Sequence, residues 1–196
     1  MAKKRRYQYQ FRPDPTGTNL LKKLHLTVQQ RNRILKWGAY SLLGIALLVL
    51  QDVLLSQFRL AGATTDLAVC VILLVGLYEG IEEGGLFALI ASAFYWFSGS
   101  APGPYVIAYL TVLTVGVGLV RQIFWRRSFG SIALCTGVAI MLYELLIFLT
   151  ALFMGLTIWR RLGVAIFTGV LTILVMMALY HLVKIIGKIG GETWKE

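Results

Sequence analysis

From Trp37 onward the chain alternates between apolar runs and short polar breaks. The runs are Trp37–Leu55, Leu67–Tyr78, Leu86–Phe97, Tyr105–Phe124, Ser131–Met154 and Gly163–Ile186. Crossing a bilayer core takes about 20 apolar residues at about 1.5 Å of helical rise each. The second and third runs have 12 residues each and reach only about 18 Å. The breaks carry turn chemistry, as in "AGATTD", "SGSAPGP", "WRRSFG" and "GLTIWRRLG". No run alternates with the two-residue rhythm of a barrel strand. The pattern predicts an all-α integral membrane protein with about six transmembrane helices, the second and third short and paired in a tight hairpin. A basic tail over 1–36 precedes this domain (37–186), and a short tail over 187–196 follows it.

Composition agrees: 58% of the residues are hydrophobic and 14% charged, too few polar residues to surface a soluble domain of 196 residues. The first run follows 36 mostly polar residues and lacks a small-residue cleavage site, so it reads as a span and not as a secretory signal. Lys and Arg set the sidedness. They crowd the region before Trp37, recur at Arg121, Arg126 and Arg127, and recur again at Lys184, Lys188 and Lys195. The opposite face holds Arg59, Arg160 and Arg161. That asymmetry places both termini in the cytoplasm.

With this orientation the acidic turn Glu79, Glu82 and Glu83 lies at the cytoplasmic face, where it reads as a solvated turn beside a basic surface. The alternative is a re-entrant hairpin, which would put three costly carboxylates at mid-membrane. Small residues recur every four positions through the same region, at Gly76, Gly80, Gly84, Ala88 and Ser92. This spacing lets helix backbones approach, so the stripe is read as the packing surface of the hairpin. Two acids fall inside other runs, Asp52 near the outer end of the first and Glu144 deep in the fifth. Asp52 reads as structural. Glu144 is expected to be protonated or hydrogen-bonded, with Gln51, Thr114, Tyr143 and Thr172 as partners at similar depth.

The chain carries no phosphate-binding loop, no zinc-protease or nucleophile-elbow motif and no Cys/His metal spacing, so no enzyme, metal or cofactor is expected. Cys70 and Cys135 stand alone in apolar runs and read as buried thiols. In the tail, Tyr7, Tyr9 and Phe11 alternate with polar residues in a basic setting that includes Lys3, Lys4, Arg5 and Arg6. Such a segment is disordered alone, although its alternation would suit a strand added to a partner's sheet. Over 18–35, Leu20, Leu21, Leu24, Val28 and Leu35 share one helical face, flanked by Lys22, Lys23, Arg31 and Arg33. This predicts an interfacial helix on anionic lipid; nucleic acid is a poor partner for a tail tethered to the membrane.

The order of these features resembles the MreD family of rod shape-determining membrane proteins, over roughly Leu50 to Ile186. The resemblance rests on Leu50-Gln51 at the end of the first run, on the glycines after the second (Gly76, Gly80, Gly84), on "FSGSAPGPYVIAYLTVLTVG", and on Glu144 where relatives carry Asp or Glu. Tyr95 stands where many members have aspartate, and Thr65-Asp66 where many have proline. The resemblance implies a non-enzymatic, multi-pass scaffold in the bacterial plasma membrane. It would bind the bitopic protein MreC and through it the MreB cytoskeleton and the glycosyltransferase–transpeptidase pair of peptidoglycan synthesis. The rival is a subunit similar to the substrate-binding components of vitamin importers, for which Asp52 and Glu144 would line a polar pocket.

Overall fold

The computed structural model describes residues 28–55, 63–124 and 129–189. Six α-helices occupy them: α1 (Val28–Leu50), α2 (Leu67–Glu79), α3 (Ile81–Phe97), α4 (Tyr105–Phe124), α5 (Phe129–Phe153) and α6 (Leu162–Ile189). A π-helical turn, Gln51–Leu55, ends α1, and a 3-10 turn, Trp159–Arg161, leads into α6. Four helical segments are long and apolar enough to cross a membrane: Gln30–Val53, Tyr105–Gln122, Gly130–Phe153 and Trp159–Lys188. Their outward faces carry Leu42, Ile45, Val112, Leu134, Val138, Leu142 and Leu174, all exposed. In water such surfaces would drive association; in hydrocarbon they cost nothing.

The bundle is built around α2. Its residues from Leu67 to Leu77 are all buried, and the helix touches each of the other five. An apolar surface on every side gives a helix no solvent face, so it becomes the core. Thirteen residues make it about 20 Å long, shorter than a hydrocarbon core of about 30 Å.

A single residue, Gly80, joins α2 to α3. Its φ of 92° lies in the left-handed region, where a side chain would be strained. Above the turn the two backbones touch: a β-carbon on Gly84 would meet Gly76 Cα at 2.7 Å. Ala88 and Ser92, further along the same stripe, are fully buried.

Two boundaries differ most from the sequence pattern. Helix α3 starts five residues before the apolar run, because Glu82 and Glu83 extend it into the turn. Acidic side chains suit a helix's first turn, where the backbone amides and the dipole are positive. Helix α1 runs without a break from Val28 through Trp37, so residues 28–35 continue the first apolar helix and do not form a separate surface helix. No Gly or Pro interrupts 28–37, and Lys36 is held by a buried partner on α2. Lys3, Lys4, Arg5, Arg6, Lys22 and Lys23 lie outside the described residues.

Candidate functional site

Polar side chains gather at both ends of α2. At its C-terminal end Lys36 Nζ donates to Glu79 Oε2 at 2.5 Å, and Tyr40 Oη donates to Glu79 Oε1 at 3.0 Å. Both charged side chains are only 4% exposed, which makes this a buried ion pair with its second carboxylate oxygen also satisfied. Positions 36 and 40 are one turn apart on α1, so both reach the same residue. Beside them Arg33, exposed on the preceding turn, pairs with Glu83. From α4, Arg121 Nη1 donates to the Tyr78 carbonyl at 2.8 Å, satisfying an acceptor that the last turn of a helix leaves open.

The acidic turn is therefore not uniformly solvated. Glu79 is enclosed and ion-paired, Glu83 is partly covered beneath Arg33, and Glu82 alone is exposed. The physical reason is the length of the connection. A one-residue turn leaves Glu79 within α2, whose residues from Leu67 to Leu77 are all covered by neighbouring helices.

At the N-terminal end of α2 the organising residue is Asp66. Its Oδ1 accepts from Gln51 Nε2 at 2.8 Å and from Tyr95 Oη at 2.9 Å, and its main-chain N–H donates to Thr172 Oγ1 at 3.3 Å. Gln51 Oε1 in turn accepts from the Ala68 N–H at 3.2 Å, an amide in the open first turn of α2. Cys70 Sγ donates to the Thr172 carbonyl at 3.4 Å. One short segment thus fastens α1, α3 and α6 to the start of α2.

The two intramembrane acids expected from sequence part company. Asp52 is exposed, and its carboxylate accepts from Ser100 in the turn after α3, so it lies outside the bundle's interior. Glu144 is buried on α5. Two of the partners expected for it are committed elsewhere, Gln51 and Thr172 to Asp66 and its surroundings. The hydroxyl of Thr114 has no hydrogen-bond partner among the described residues, and neither has Glu144 Oε1.

Lys36, Tyr40, Asp66 and Tyr95 had no functional role assigned from sequence. A signal existed for Asp66, an acid immediately before an apolar helix, and for Lys36, a lone cation at the edge of an apolar run. Cys70 and Cys135 are both free thiols, and the described residues hold no metal-binding cluster of His, Cys, Asp and Glu.

A lateral groove of about 380 Å³ runs between α1 and α3, over α2. Ser41, Gly44, Ala91 and Phe94 line it, and the Arg33–Glu83 pair stands at one end.

No family model, curated protein or solved structure matches this chain.

Proposed function

We propose that the chain is a non-enzymatic membrane scaffold of the MreD kind. In this reading all six helices cross a bacterial plasma membrane, with both termini in the cytoplasm. Its partner is an MreC-like bitopic protein, through which it connects the MreB cytoskeleton to the peptidoglycan glycosyltransferase–transpeptidase pair. Anionic lipids sit against its basic face. The observation that carries this reading is the occupation of the interior by α2. A helix stands where a transported solute would need a cavity, and it is fastened at both ends by side chains from its neighbours. Such a body is suited to present fixed surfaces to partners. The sidedness draws support from Arg31, Arg33, Lys36 and Arg121, which all belong to the Glu79 end of the bundle.

The importer-subunit alternative needs a polar pocket open to the outside. Asp52 is exposed beside a turn, and the groove between α1 and α3 is apolar and opens sideways, which favours the scaffold. Depleting the protein in its native host tests the proposal: rods should become round, and retention of shape would count against it. A screen of soluble vitamins by thermal unfolding tests the alternative, since a tight ligand raises the unfolding midpoint by mass action.

A further inference from the structure

Helices α1 and α3 meet at one end and leave a gap beyond it. Where they meet, Trp37 packs against Phe87 with ring centroids 5.8 Å apart, and Arg33 pairs with Glu83. Past that contact α1 presents Ser41 and Gly44 and α3 presents Ala91, residues too small to close the gap above Ala68 and Val71 of α2. A β-carbon on Gly44 would meet nothing within 4 Å. The lateral groove of about 380 Å³ is the result. Its wall from Trp37 to Leu48 runs for about 16 Å, close to the depth of one leaflet of a hydrocarbon core about 30 Å thick.

A second, more open recess lies on the adjoining face of α1, along Gln30, Ile34 and Gly38. It shares Arg33, Trp37 and Ser41 with the groove, so two apolar depressions converge on one charged pair. Arg33 Nη2 donates to Glu83 Oε1, and both side chains reach the surface, 64% and 34% exposed. A guanidinium carries more N–H groups, and a carboxylate more acceptor oxygen, than this one bond uses, which leaves donors on Arg33 and Oε2 on Glu83 for a ligand. Lys36 is buried against Glu79 and takes no part. Arg31 and Glu82, exposed on the same helical turns, add one charge of each sign. The mouth of the groove is therefore dipolar, with no net charge.

We propose that the groove and the recess hold the two acyl chains of a zwitterionic glycerophospholipid whose headgroup ends in a primary ammonium, of the phosphatidylethanolamine type. Its phosphate accepts from Arg33, and its ammonium donates to Glu83. An anionic headgroup would satisfy Arg33 and set Glu83 against a like charge. A quaternary ammonium has no N–H to give Glu83. Small-ligand sites share this plan, an apolar cleft with a few polar groups that fix orientation. The proposal rests on the membrane reading of the chain and not on its scaffold role.

The test places the full chain in nanodiscs of phosphatidylethanolamine, phosphatidylcholine and phosphatidylglycerol, in equal amounts and with identical acyl chains. Native mass spectrometry of the released protein reads which lipid stays bound. Phosphatidylethanolamine should be retained about fivefold over each of the others, the worth of one typical hydrogen bond. Glu83→Met should erase the preference over phosphatidylcholine and turn the mouth cationic, so that phosphatidylglycerol is then retained best. Gly44→Phe fills the groove from an open position and should lower retention of all three. A photoreactive residue placed at Ile90, which lines the groove, should form a phospholipid adduct when native-host membranes are irradiated. Equal retention of the three lipids by the unaltered chain would overturn the proposal, as would preference for phosphatidylglycerol. So would undiminished retention by a folded Gly44→Phe protein, or an adduct at position 90 with another protein's helix or a second copy of the chain.

Discussion

Tyr95 donates its hydroxyl hydrogen to Asp66 Oδ1 at 2.9 Å, joining the end of α3 to the residue before α2.

Tyr95→Phe should therefore destabilise the protein although it deletes a single oxygen. Asp66 would stay half-buried with Gln51 as its remaining side-chain donor, at a cost of about 1 kcal/mol. Thermal unfolding in detergent measures this. A midpoint equal to that of the unaltered protein would show that the contact contributes nothing.

The ion pair at the other end of α2 yields a double-mutant cycle. Lys36→Met strands a buried carboxylate, and Glu79→Gln strands a buried ammonium, each at about 3–5 kcal/mol. The double variant has neither charge, and the amide oxygen that replaces the carboxylate can still accept from Tyr40. It should recover most of the loss. Losses that simply add would mean that the two charges do not depend on each other.

The hairpin separates packing from charge. Gly84→Leu drives a side chain into the backbone of Gly76, where even a β-carbon finds only 2.7 Å. It should lower the recovery of folded protein from membranes. Glu82→Gln alters an exposed side chain and should shift stability by no more than about 0.5 kcal/mol. Size-exclusion profiles of the two variants compare them directly, and similar behaviour would remove the stripe from the packing account.

Much of the fold was legible in the apolar pattern. The run at 105–124 coincides with α4, the run at 67–78 falls one residue short of α2, and the fifth and sixth differ from α5 and α6 by a few residues at their ends. Apolar length and turn residues are local properties, and the pattern reads them well. The fates of the acids were not local. Glu79 is neutralised by a lysine 43 positions away, and Asp66 gains Tyr95 from 29 positions away, through contacts that only the assembled bundle creates. Periodicity could not reveal that α2 lies at the centre, because a helix apolar on all sides has no face to orient. Glu144 was visible as a deep acid, but two of its expected partners, Gln51 and Thr172, were taken by a neighbour that the pattern did not single out.

Topology gives a prediction that does not involve stability. If the Glu79 end faces the cytoplasm, a cysteine replacing exposed Glu82, with Cys70 and Cys135 changed to alanine, should react with a membrane-impermeant thiol reagent only in inverted vesicles or lysed cells. Labelling in intact cells would invert the assignment.

The scaffold proposal meets its most direct test in co-purification. The tagged full-length chain, extracted under mild detergent from its native host, should bring down a bitopic membrane protein of the MreC kind in near-stoichiometric amount by quantitative mass spectrometry. Gly84→Leu, to the extent that it accumulates, should recover less of it, and Glu82→Gln the same amount. Recovery of the intact, folded chain with no bitopic partner above the level of an unrelated membrane-protein control would contradict the account.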